Sequence, residues 1–177
     1  MKIIGFAGST SSQSINAKLV NYTLDKIKGF ETDFIDLNDF PLPIYSIDLE
    51  QEKGFPENVE KFVKILNEAD AIIVSMAEHN GSYTAAVKNL IDWCSRLELN
   101  FFNNAPMLLM ATSPGGYGGG NVMEAAEKRF PKFGAEIVTT FKLPSFNDNF
   151  SSDEGITNQA LRESHDEQIK QFLDTLK

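Results

Sequence analysis

Short apolar runs bounded by turn residues alternate along this chain with stretches whose apolar residues recur every three or four positions. Ile3-Ile4-Gly5-Phe6-Ala7 is continuous and ends at Gly8, the pattern of a strand buried on both faces. Ala71 to Met76 and Met107 to Ala111 repeat it, and Thr32 to Leu37 and Glu136 to Thr140 add two shorter candidates. Helical spacing holds for Ala17, Val20, Leu24 and Ile27 before Gly29, and for Val59, Phe62, Val63 and Leu66. It holds again for Val87, Leu90, Ile91, Cys94 and Leu97, and for Val122, Ala126, Phe130 and Phe133 before Gly134. Ile169, Phe172, Leu173 and Leu176 mark a closing helix. This alternation predicts an α/β fold: a five-stranded parallel sheet with helices on both faces and right-handed crossovers. With 177 residues and no internal repeat, low-complexity tract or linker, the reading is one domain over residues 1–177. The stretch from Asp39 to Pro56, with Pro41-Leu42-Pro43 and the acidic run Asp48-Leu49-Glu50-Gln51-Glu52, reads as a long solvated connection.

Charge and cysteine usage close off several functions. Sixteen Lys+Arg against 25 Asp+Glu give a net charge of −9, which disfavours nucleic acid and anionic membrane as partners. A single cysteine, Cys94, excludes an internal disulfide and any thiolate-only metal site. Only two histidines are present, so a histidine-rich metal site is not expected either. The first residues lack the hydrophobic centre of a signal peptide, and no run approaches the roughly 18 apolar residues of a membrane span. The expectation is an acidic, soluble, cytoplasmic protein.

In parallel α/β sheets, ligands bind beyond the carboxyl ends of the strands, where strand order reverses. The loops after the first, third and fourth strands are the ones rich in chemistry. The first, Gly8 to Asn16, holds five hydroxyl residues and two amides before a helix, a donor set suited to phosphate. The plainer reading is that Ser12 or Ser14 caps the helix and the rest is solvated. The second, Ala77-Glu78-His79-Asn80-Gly81-Ser82-Tyr83, carries an Asn-Gly pair that tolerates positive φ, or is simply a tight turn with Ser82 as cap. The third, Ser113-Pro114-Gly115-Gly116-Tyr117-Gly118-Gly119-Gly120, has five glycines in six positions, allowing close approach of a flat ligand or serving as a flexible linker. Neither G-x-G-x-x-G in the first loop nor G-x-x-x-x-G-K-[ST] anywhere is present, which argues against a dinucleotide Rossmann site and a P-loop.

Gly8-Ser9 with Ser14-x-Asn16, Glu78-x-Asn80-x-Ser82 followed by Lys88-Asn89-x-x-Asp92-Trp93, and Ser113-x-Gly115-Gly116 with Gly118-Gly119 together resemble the NADPH-dependent FMN reductase family. The resemblance runs from about Lys2 to Gly134. It implies a flavodoxin-like three-layer fold, bound FMN, NAD(P)H as electron donor, and a free flavin, quinone, azo dye or similar small molecule as acceptor. It also implies a homodimer or homotetramer. The implied cofactor residues are Ser9, Ser11, Ser14, Ile15 and Asn16 for the phosphate, and Ala77, Glu78, His79, Asn80 and Gly81 along the ring edge. Ser113, Gly115, Gly116 and Tyr117 would hold its other side. No catalytic side chain and no metal are implied, because the chemistry is the flavin's. The sequence departs from the family at Ser11, where an arginine is common, and at Ala77-Glu78-His79-Asn80, where Pro-Glu-Tyr-Asn is common.

Other readings are an electron carrier or non-catalytic binding module of the same fold, and a serine hydrolase built from Ser9, His79 and Asp92. A phosphorylatable receiver needs an aspartate near the end of the third strand, where Ser75-Met76 stands instead. Trp93 and Cys94 fall on or beside an apolar helix face, as core or subunit contact. Phe101-Phe102 reads as an apolar patch for self-association or as residues buried under a loop, and His165 as a partly buried structural residue.

Overall fold

The computed structural model describes residues 1–177. Its elements are β1 (Lys2–Ala7), α1 (Ile15–Lys26), β2 (Glu31–Ile35), α2 (Ile47–Lys53), α3 (Glu57–Asn67) and β3 (Ala71–Met76). A two-strand hairpin β4 (Glu78–His79) and β5 (Ser82–Tyr83) follows, then α4 (Ala85–Leu97), β6 (Pro106–Thr112), α5 (Gly120–Arg129) and β7 (Glu136–Leu143). The chain closes with α6 (Phe146–Asn149), a hairpin of β8 (Phe150–Ser151) and β9 (Gly155–Ile156), and α7 (Gln159–Asp174). The five long strands pair in the order β2-β1-β3-β6-β7, all parallel. This is the flavodoxin-like doubly wound order, whose switch point lies between β1 and β3.

Alternation along each strand sorts the core into two layers. Ile4, Phe6, Ile72, Val74, Met107 and Leu109 face α3, α4 and α5, while Ile3, Ile73, Leu108 and Met110 face α1 and α7. β3 and nearly all of β6 are buried, which is why both read as continuous apolar runs. Gly5 allows α1 to lie directly on β1, since a Cβ there would stand 2.7 Å from Val20 Cγ1.

Three expectations are corrected, and one pair of alternatives is resolved. Strand two ends at Ile35, because Leu37–Asp39 forms a single 3-10 turn capped by Asp36. The acidic run lies in α2, with Ser46 capping it and Glu50 held by Arg96 at 2.9 Å. Strand five extends to Leu143, where Thr112 Oγ1 donates to its carbonyl at 2.7 Å. Of the two readings of Phe101-Phe102, burial holds and the exposed patch does not: both are 2% exposed and pack with Phe130 and Phe133. Trp93 is likewise core, and burial pushes the Cys94 thiol up to about 12, leaving it chemically quiet. His165 is fully buried: its Nε2 lies 2.9 Å from Thr23 Oγ1, and its ring stacks on Tyr22. No helix is long and apolar enough to cross a membrane.

Candidate functional site

The carboxyl edge of β1, β3 and β6 carries a cavity of about 280 Å³ lined by residues of all three loops. The stems of those loops are tied together by one side chain. Asn16, only 2% exposed, accepts from Ser75 Oγ at 2.7 Å and from the Thr112 amide at 3.1 Å, and its Nδ2 donates to the Thr112 carbonyl at 3.1 Å. It therefore bridges the ends of β3 and β6 from the first turn of α1. Thr84 adds a second tie, donating to the Gly8 carbonyl at 3.0 Å while accepting from the Val87 amide as the N-cap of α4. Ser82 is not that cap, because the hairpin takes it into β5.

The first loop is a donor cradle. Ser9 Oγ accepts from the Ser11 amide, Ser11 Oγ from the Gln13 amide, and Ser14 Oγ from the Ala17 amide as the N-cap of α1. The amides of Ser12, Ile15 and Asn16 donate to nothing in the fold, the usual surplus at a helix N-terminus. Ser9, Ser11, Ser14, Ile15 and Asn16 all line the cavity, together with Ala77, Glu78, His79 and Ser113. No lysine or arginine lines it; Lys18 faces a separate cleft between α1 and the β8–β9 hairpin.

In the second loop, Asn80 (φ 51°) and Gly81 (φ 74°) are the two central residues of a two-residue hairpin turn, both in the left-handed region that a type I′ turn requires. Their amides have no partner within the fold. Glu78, expected to meet a ligand, turns its carboxylate onto α5: Oε2 accepts from the Val122 amide and Oε1 from Asn121 Nδ2, each at 3.0 Å. This caps a helix whose N-cap, Gly119, has no side chain to do so.

The glycines of the third loop divide into two kinds. Gly118 (φ 64°) and Gly119 (φ 78°) occupy left-handed backbone, and a Cβ at Gly118 would sit 3.1 Å from the Pro144 backbone. A Cβ at Gly120 would strike the Tyr117 ring. Gly115 and Gly116 are open: a Cβ at Gly116 meets nothing within 4 Å. The amides of both also lack partners in the fold. Asn80, Gly81, Gly115, Gly116 and Tyr117 lie outside the cavity lining. Tyr117 donates to Glu124 at 2.9 Å, and Lys142 stands over its ring at 4.8 Å.

The hydrolase reading finds no relay. Ser9 and His79 share no hydrogen bond, and both Asp92 oxygens accept from Lys88 at 2.7 Å. Asn89 and Trp93, singled out by motif, hold the proline loop: Asn89 Nδ2 and Trp93 Nε1 both donate to the Pro43 carbonyl. Sequence reasoning missed this positioning role, although Trp93 spaced four residues after Asn89 places both on one helix face.

Over 124 residues the chain is 36% identical to an NAD(P)H:quinone oxidoreductase of Solanum tuberosum, covering 68% of this chain and 62% of that protein. It is 32% identical over 123 residues to a quinone reductase of Escherichia coli (strain K12), covering 67% and 63%. The chain thus aligns with less than two thirds of the length of these relatives. In three dimensions it matches the flavoenzyme NAD(P)H:(acceptor) oxidoreductase FerB of Paracoccus denitrificans with a TM-score of 0.73 at 22% identity, covering 98% and 97% of the two chains. The family model of NADPH-dependent FMN reductases matches residues 1–148, which include all three loops of the cavity, and the chain belongs to that family.

Proposed function

We propose that this chain is an FMN-dependent oxidoreductase that passes electrons from NAD(P)H to a quinone or a similar small acceptor. The observation that carries the reading is the meeting of three loops at the β1–β3 switch point, with unpartnered amides at the start of α1 and in both other loops. The donor set fits the group. Hydroxyls of Ser9 and Ser11 and the amides of Ile15 and Asn16 suit a phosphate monoester. The amides of Asn80, Gly81, Gly115 and Gly116 suit the polar edge of a flat ring, with Gly116 leaving room for it. Bound there, FMN supplies the two-electron redox chemistry itself. The overall conversion is NAD(P)H + H⁺ + quinone → NAD(P)⁺ + hydroquinone.

What the protein contributes is placement. Asn16 and Thr84 fix the three loops relative to one another, and Glu78 fixes the entry of α5 behind the glycine loop. The free backbone amides of Asn80, Gly81, Gly115 and Gly116 would offer hydrogen-bond donors to the polar edge of a bound ring without any residue having to ionise. The family resemblance further supports assembly as a homodimer or homotetramer and a cytoplasmic setting, within a single domain over residues 1–177. Sedimentation velocity at micromolar concentration tests the assembly.

The deciding experiment is the absorption spectrum of the purified protein, with any released cofactor identified by mass, followed by NAD(P)H oxidation with a quinone acceptor. A flavin spectrum with quinone-dependent NAD(P)H oxidation supports the enzyme. Bound flavin without turnover favours the carrier, and a protein that takes up no added FMN refutes both.

A further inference from the structure

Beside the cavity lies an apolar recess of about 250 Å³ between the β2 connection, the first loop and α4. Leu37, Phe40, Pro41 and Leu42 form one wall; Ala86 and Leu90 form the other. The recess is built rather than incidental. Asn58 Nδ2 donates to the Pro41 carbonyl at 3.0 Å, Asn89 and Trp93 both hold the Pro43 carbonyl, and the Tyr45 amide donates to Asn89 Oδ1 at 2.8 Å. Phe40 packs edge-on against the buried Phe62 at 5.4 Å. A loop with two prolines is thereby strapped to α3 and α4.

The recess joins the cavity through a short cleft. That cleft shares Ser9, Ser11 and His79 with the cavity, and Thr10 and Ala86 with the recess. The three spaces form one run along the carboxyl edge of the sheet.

No residue lining the recess carries a charge; its polar members are Thr10, Asn38 and Asn89. An anionic group pressed between Leu37, Phe40, Leu42 and Leu90 would lose hydration that these apolar side chains do not replace. The volume lies just below the roughly 300–1,000 Å³ of pockets for drug-sized ligands, which suits a compound of one or two rings.

We propose that this recess is the seat of an uncharged, one- or two-ring quinone acceptor, and that Leu42 and Ala86 set its preference for neutral over anionic acceptors. The assignment rests on the quinone reductase reading, and its test separates the two. Duroquinone, which is uncharged, and 2,6-dichlorophenolindophenol, which is anionic at neutral pH, are titrated into ¹⁵N-labelled FMN-supplemented protein while FMN affinity is measured separately. Duroquinone is expected to shift the amides of residues 37–40, 42 and 86–90. Leu42→Lys is expected to weaken duroquinone about tenfold and to strengthen the anionic dye, with FMN affinity unchanged. Ala86→Glu, at the acid-tolerant first turn of α4, is expected to weaken both, the anion more. If FMN binds and duroquinone shifts other amides, or if neither variant changes the ratio of the two affinities, the recess assignment is overturned while the function stands. If FMN does not bind but duroquinone still maps to the recess, the function fails and the acceptor role falls with it, leaving only a site for neutral quinones.

Discussion

Replacing Asn16 by alanine separates holding the loops from holding the ligand. The substitution strips the partner from Ser75 Oγ, from the Thr112 amide and from the Thr112 carbonyl, in residues at most 1% exposed. Each buried polar group left unsatisfied costs about 1–3 kcal/mol. The three losses share one side chain, so they do not simply add, and a water entering the vacated space can recover part of them. About 3 kcal/mol of destabilisation is expected, which for a chain of this size lowers Tm by about 6–12 °C. The assay is urea and thermal unfolding of the apoprotein, with FMN titration of the same samples. Ser75→Ala and the double variant complete a cycle, in which the double variant should cost clearly less than the two single costs summed. An apoprotein of unchanged stability that binds FMN poorly would refute the reasoning, because Asn16 would then act on the ligand and not on the loops.

Gly118→Ala is expected to destabilise the apoprotein by about 1–3 kcal/mol, because left-handed backbone is strained with a side chain and the Pro144 backbone crowds it. Gly116→Val, with open space around its Cβ, is expected to weaken FMN binding while apoprotein Tm moves by less than about 2 °C, read by thermal scans and flavin titration. Burial chiefly, with Lys26 nearby, pulls the His165 imidazole down to about 4, so between its ordinary 6.5 and 4 only the unfolded chain takes up the proton. Stability should therefore fall as pH drops through that window, by up to about 3 kcal/mol, and His165→Gln should remove that part of the slope in urea midpoints.

The sheet was legible because its central strands are buried on both faces and so read as unbroken apolar runs, as β1, β3 and β6 do. α3 and α4 were legible because their apolar stripes face one layer of the core. α2 was not, since it buries no residue fully and leans on a contact distant in sequence: Arg96 Nε donates to Glu50 Oε2 at 2.9 Å, joined by the nearby Tyr45 hydroxyl. The location of the site followed from the loops, but the division of labour inside it did not. Asn16 and Glu78 carry chemistry that suits a ligand, yet the fold uses their side chains for Ser75, Thr112 and the start of α5. A run of glycines likewise does not say which positions are left-handed, as Gly118 and Gly119 are, and which are open, as Gly116 is.

The claim at the centre of this account is that the Ser9–Asn16 loop reads a phosphate without a cation. Titrating FMN and riboflavin against the wild type, Ser9→Ala and Ser11→Arg by flavin fluorescence quenching tests it directly. FMN should bind the wild type more tightly than riboflavin. Ser9→Ala should weaken FMN by about 1–3 kcal/mol with riboflavin little changed. Ser11→Arg should tighten FMN alone, since a charge-assisted bond to phosphate is about twice as strong as a neutral one. Equal affinities for the two flavins in the wild type, or equal losses of both in Ser9→Ala, would contradict it.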